Sequence, residues 1–195
     1  VPVGLINAGN FNGALKGAIN SSLPTHGTDV AISAAAAVAC GISSAMDGKA
    51  TLDSVIDGAL RGAREGAKQG KPAIAASIED RTRLALSLVN NIEDITKAGQ
   101  VLYDHIGCGM DANEVVPVVL ALFYVTKGDP MQLIRAGANI GGDTDTIAAL
   151  GGALGGAFHG IDHIDADLLK EAERINNLNV KELAKKIVGM IGMIK

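Results

Sequence analysis

Apolar residues recur at three- and four-residue spacing along most of this chain, and the strict alternation that marks a half-buried strand is missing. The pattern predicts helices over residues 11–20, 28–46, 51–69, 78–90, 94–106, 112–127, 130–139, 144–158, 167–175 and 180–193. Turn signals fall between them, at Met46-Asp-Gly-Lys49, Gly70-Lys-Pro72, Gly107-Cys-Gly109, Lys127-Gly-Asp-Pro130 and Asn176-Asn177. Two capping boxes support these starts. Asp111 with Glu114 reads as the stronger, because a Glu can reach back to the cap N–H; Thr51 with Ser54 reads as the weaker. The helix beginning near Asp143 carries Gly151, Gly152, Gly155 and Gly156 in its interior. Each glycine there costs about 1 kcal/mol relative to alanine, a cost that persists where a second backbone comes close. The expected contact face is Ala149, Gly152 and Gly156. No internal repeat and no low-complexity linker interrupts the pattern, so residues 1–195 read as one all-α domain.

Composition narrows the function classes. At 195 residues with 48% hydrophobic and 19% charged, the chain can bury a large core and is not a disordered polymer. Seventeen basic against 21 acidic residues leave a net charge of −4, without the basic stripe that nucleic-acid binding requires. Aromatics at 3% and no Trp argue against base-stacking platforms. Cys40 and Cys108 have no C-x-x-C partner and fit a reducing compartment, which makes the cytoplasm the expected location. The longest uncharged run, Val30 to Met46, is too short and too rich in small residues for a membrane span. The chain opens on Val1 in the apolar stretch VPVGLI, without an initiator Met, which points to preceding sequence that is removed or not shown.

The candidate chemistry lies in Ala138-Asn-Ile-Gly-Gly-Asp-Thr-Asp-Thr146. Gly141 and Gly142 let the backbone approach a ligand. Asp143 stands at the N-cap position, with Asp145 and Thr146 in the first turn, where free N–H groups and the positive helix end lie. Carboxylate and hydroxyl oxygens suit Mg²⁺, Ca²⁺ or Mn²⁺ rather than zinc. The plain alternative is an N-cap with dipole-compensating acids. An EF-hand is excluded by spacing, since Ile147 and Ala148 occupy positions that need a ligand and a glycine. Gly107-Cys-Gly109 mimics a dinucleotide fingerprint but follows a predicted helix rather than a strand. His159 and His163 have a spacing that zinc sites use, but Gly160 between them breaks the helix that would align them. His26 reads either as a loop histidine capping the following helix or as a ligand contact. The stretch KELAKKIVGMIGMIK is amphipathic and reads as a packing helix before a membrane anchor.

The segment IRAGANIGGDTDTIAALGGALGGAFHG resembles the C-terminal signature of the ADP-ribosylglycohydrolase family. VPVGLINAGN, LPTHGTDVAISAAAAVA and GCGMDANEVVPVVLALFYV resemble further family segments, in the family's order. The resemblance implies a compact, orthogonal multi-helix bundle that binds two Mg²⁺ ions (Mn²⁺ in some members) and hydrolyses the bond between C1 of a ribose in ADP-ribose and its acceptor. It assigns Asp143, Asp145 and Thr146 as metal ligands, Asp145 as the catalytic carboxylate and His26 as an ADP-ribose contact. It places the Gly141-Gly142 backbone near ribose and phosphates, and puts Met110 where members often have an aromatic ring on the ligand. The family's N-terminal half, with its Asp-Asp metal ligands, has no counterpart here, for no Asp-Asp pair occurs in the chain. The expectation is therefore the C-terminal part of a larger domain, its metal site completed by a further segment or chain and some apolar surface left open. The implied partner is an ADP-ribosylated protein or a small ADP-ribosyl compound, with no nucleic acid and no membrane. A non-catalytic binding or structural protein on the same fold is the alternative.

Overall fold

The computed structural model describes residues 1–194, apart from the side chains of Met190 and residues 192–194. Its elements are helical among the described residues, as the period predicted. Helix α7 (Ala112–Val125) is the axis of the core. Every residue from Val115 to Phe123 is buried, because a helix apolar on all sides can only be surrounded. Helices α5 (Ile78–Val89) and α9 (Thr144–His159) pack against it. So does α3 (Asp29–Ala45), whose alanines bring neighbouring backbones close.

Helix α3 runs antiparallel to α4 (Leu52–Ala67), with Gly58, Gly62 and Gly66 facing Ser44, Ala36 and Ile32 in turn. A second, smaller core joins α3 to α2 (Phe11–Ser22) through Ala14, Ala18, Ala36, Ala39 and Cys40. Helix α1 (Pro2–Ile6) is a single turn and a half that the sequence pattern did not predict. Helix α8 (Pro130–Asn139) runs antiparallel to α9 with very close backbones. A methyl on Gly137 would stand 2.6 Å from the Ala148 nitrogen, and one on Gly155 2.7 Å from the Gly128 oxygen. The contact face of α9 is thus Ala148, Gly151 and Gly155. The expected face is displaced by one residue: Ala149 is exposed and nothing lies within 4 Å of a methyl on Gly156. Gly152 alone of that set meets α8, through the Ile134 side chain.

The capping expectation is reversed. Thr51 and Ser54 form the complete reciprocal box, while Asp111 accepts no side-chain cap bond. Glu114 instead accepts the Gly109 N–H at 2.7 Å, folding the 107–110 loop under the start of α7. Helix α6 (Ile95–His105) ends as expected, on Gly107 with φ of +89°. Gly160, at φ +84°, ends α9 and leads into a 3₁₀ turn at Ile161–His163, where the His159 and His163 rings stack at 4.5 Å. Beyond it, α10 (Ala166–Asn176) has no buried residue, and α11 (Val180–Ile194) touches α1. Leu168, Ile175, Leu178, Leu183 and Val188 leave an apolar face open on this pair. No described helix is long and apolar enough to cross a membrane.

Candidate functional site

Helices α7 and α9 are parallel. Their starts are tied where the Asp143 N–H donates to the Cys108 carbonyl at 2.7 Å, and their ends meet where Phe158 packs edge-on to Phe123 at 5.4 Å. Helix α3 takes the same direction: Leu154 lies against Gly41, and one turn earlier Leu150 shares a groove with Val38 and Ala35. Three helix N-termini therefore gather at one end of the bundle, and their aligned peptide dipoles favour an anion there.

The loop before α9 is shaped by its glycines. Gly141 and Gly142 have φ of +91° and +67°, a region that side chains rarely adopt. A methyl at 142 would collide with the Cys108 carbonyl oxygen, and one at 141 would lie 3.0 Å from the Tyr103 ring. The 107–110 loop and the Gly-Gly-Asp loop are thus pressed together, and Met110, 86% exposed, projects from the first of them.

Asp143 occupies the N-cap position but accepts no backbone cap bond. Asp94, Asp129 and Asp165, at the starts of α6, α8 and α10, all do so. Instead the Asp143 Oδ1 accepts the Thr146 hydroxyl at 2.9 Å. Asp145 stands exposed in the first turn, with no described hydrogen bond. The Asp143 carboxylate thus makes no backbone cap bond, although both acids still lie at the positive end of the helix. Two carboxylates and a hydroxyl are left as hard oxygen donors at a positive helix end. That donor set suits Mg²⁺ or Mn²⁺, but it is only part of a coordination shell: among the described residues no group of three or more acidic, His or Cys side chains gathers to hold a metal.

His26 lies in the turn before α3, exposed, with Nδ1 at 2.8 Å from the Thr25 hydroxyl. It shares the end of the bundle with the α9 loop, and no hydrogen bond among the described residues joins the two. The Cys108 thiol is free and buried. Burial pushes it up to about 11, and the Glu114 carboxylate adds to the rise.

A family model described as ADP-ribosylglycohydrolase matches residues 1–193. The chain belongs to the ADP-ribosylglycohydrolase family. Its match to the Escherichia coli (strain K12) protein "Uncharacterized protein YegU" is 34% identical over 167 residues. The aligned region is 84% of this chain and 49% of the relative, so the chain spans about half the relative's length. The family is hydrolytic and all-α, and the model match extends over essentially the whole chain rather than over a C-terminal signature alone. Sequence reasoning missed Tyr103, which walls the Gly141 turn from α6. Nothing local to Tyr103 marks it, since it stands among Val101, Leu102 and Ile106 as one more ring on an amphipathic helix.

Proposed function

We propose that this chain forms one wall of a glycohydrolase site that cleaves ADP-ribosyl or related ribosyl linkages with a divalent cation. The observation that supports it most directly is Asp143, an N-cap carboxylate released from capping and held by Thr146 beside an exposed Asp145. Asp143, Asp145 and Thr146 would hold Mg²⁺, with Mn²⁺ as an alternative of the same oxygen preference. When bound, the ion supplies positive charge that orients sugar hydroxyls and lowers the pKa of a water. The Gly141-Gly142 backbone lets the ribose and its phosphate approach the α9 N-terminus closely. His26 and Met110 flank the ligand on the neighbouring loops. Water adds to the anomeric carbon as the bond to the acceptor breaks, and the acceptor leaves with a proton. The state between carries oxocarbenium-like charge, which the Asp145 carboxylate steadies. Two carboxylates do not fill the coordination of even one Mg²⁺, and water or further oxygen donors would take its remaining positions.

The test is calorimetric titration of Mg²⁺ into the full-length protein, beside release of ADP-ribose from an ADP-ribosylated substrate. Asp145→Ala should lose most of the binding heat and at least about a hundredfold of the rate. Unchanged metal binding in that variant refutes the assignment. A second reading on the same fold is a protein that binds ADP-ribosyl groups without cleaving them. Metal-dependent binding of ADP-ribose by the full-length wild type, with no turnover, would establish it.

A further inference from the structure

A groove of about 490 Å³ runs between α6 and α8 and belongs to no part of the site assigned above. Its walls come from single helix faces: Ile95, Thr96, Gly99 and Gln100 on α6, and Gln132, Arg135, Ala136, Asn139 and Ile140 on and after α8. It leads to the Gly-Gly-Asp loop. A methyl on Gly99 would stand 3.8 Å from Ile140, and one turn on, Tyr103 abuts Gly141. The size is that of a small-ligand cleft.

Arg135 is the charged residue in the lining, and no carboxylate lines it. The chain has five other arginines, and each has a described partner. Arg64 and Arg83 pair with Glu79, and Arg174 with Glu171. Arg81 donates to the Ile106 carbonyl, and Arg61 lies over the Phe11 ring. Arg135 alone has no described ion pair, ring or side-chain hydrogen bond, although Asp104 and Asp129 stand on the same two helix systems, tied to Gln100 and to the Gln132 N–H. The Gln132 and Thr96 side chains likewise have no described bond. The helix beneath Arg135 is fixed, for Asn139 donates to the Arg135 carbonyl at 2.7 Å. An unpaired guanidinium beside free amide and hydroxyl groups, over an apolar floor, is suited to an anionic oxygen group and repels a cation.

We propose that the α6–α8 groove is a subsite for an anionic oxygen group of the ribosyl substrate, phosphate or carboxylate, held by Arg135 and Gln132 while Tyr103 walls its junction with the sugar-binding loop. The inference rests on the glycohydrolase reading for the sugar, but not for the anion. One source of the anion is the diphosphate arm; the other is an acidic acceptor on the far side of the scissile bond.

The full-length protein with Mg²⁺ tests this through Arg135→Gln and Arg135→Lys. Arg135 is exposed, so thermal melts of both variants should match wild type. If the diphosphate occupies the groove, Arg135→Gln weakens ADP-ribose and ADP binding by about tenfold or more, and Arg135→Lys restores part of it. If an acidic acceptor does, ADP-ribose binding is unchanged, while KM rises by that factor for an ADP-ribosylated peptide with acidic flanks and not for one with neutral flanks. No change in either arm overturns the proposal. A wild type that releases no ADP-ribose, yet binds it in an Arg135-dependent way, removes the hydrolase reading and keeps the groove. A wild type that turns over with Arg135-insensitive binding and KM removes the groove alone.

Discussion

Gly142→Ala tests whether the Gly-Gly-Asp loop is held rigidly by its neighbour rather than merely lying near it. Gly142 has φ of +67°, and a residue with a Cβ in that region costs about 1–2 kcal/mol. The added methyl also meets the Cys108 carbonyl oxygen, which is backbone and has no rotamer to escape into. The same oxygen accepts the Asp143 N–H at 2.7 Å, so moving it weakens a bond worth about 0.5–1.5 kcal/mol. With some residual strain the sum is about 2–4 kcal/mol, and at this chain length each 1 kcal/mol moves Tm by roughly 2–4 °C. Gly142→Ala should therefore melt roughly 4–16 °C below wild type. Gly141→Ala has a φ of +91° to contend with, but its steric neighbour is the ring of Tyr103, 48% exposed and free to turn. Its loss should be the smaller, about 1–2 kcal/mol. The assay is differential scanning calorimetry of the full-length protein, with Mg²⁺ titrated into each variant. The reasoning fails if Gly142→Ala melts within about 1 °C of wild type, or if Gly141→Ala proves the more damaging.

Three further outcomes follow from the packing and the charges. Gly155→Ala places a methyl 2.7 Å from the Gly128 oxygen and 2.9 Å from the Pro130 Cα, and should cost about 1–3 kcal/mol by urea denaturation. Gly156→Ala, one residue on and open to space, should be neutral or stabilising by up to about 1 kcal/mol; the reverse order would show that the α8–α9 contact is misassigned. The Glu79 carboxyl is held below the usual range by its hydrogen bond from Arg64, against the opposing cost of burial and with Arg83 adding to the fall. Because the folded pKa is depressed, that stability is present above the ordinary Glu value of about 4.3 and is lost as pH falls through the folded one. Glu79→Gln should thus be less stable than wild type at pH 7 and equal to it in strong acid, and a difference that persists in acid would show that the ion pairs are not its cause. Burial pushes Cys40 up to about 12, against the Arg61 charge, and Cys108 to about 11, so iodoacetamide at pH 8 should label neither thiol until urea unfolds the chain; rapid labelling of Cys108 in the native protein would contradict its burial.

Much of the fold was legible because it is written locally. Periodicity marked ten of the helices to within a residue or two, and the apolar run from Val115 to Phe123 announced the central one. Pro2–Ile6 escaped because five residues are too few to show a period. The two reversals have a common cause, a local signal decided by a distant partner. Glu114 has the right spacing for a capping box, but the Gly109 N–H is the donor it meets, since the loop folds under α7. Gly151 with Gly155 and Gly152 with Gly156 have the same i, i+4 spacing. Only Gly137 on α8, where Ala148 lies within 3 Å, decides which pair faces inward.

The site divides in the same way. The Gly-Gly-Asp-Thr-Asp-Thr segment is contiguous, so its oxygen-bearing side chains and the two glycines of its tight turn could be read along the chain. That Asp143 would make no cap bond could not be read, because a capping aspartate and a non-capping one look the same in sequence. Nor could the gathering of helix starts. Successive helices such as α8 and α9 are antiparallel and place their starts at opposite ends of the bundle. Three positive ends meet only where helices distant in sequence lie parallel, as α3, α7 and α9 do around Leu150, Leu154 and Val116. Arg135 and Tyr103 belong to that same class of residue. Each is an ordinary exposed position on an amphipathic helix, and each acquires a chemical role only because α6 lies beside α8 at the mouth of the loop.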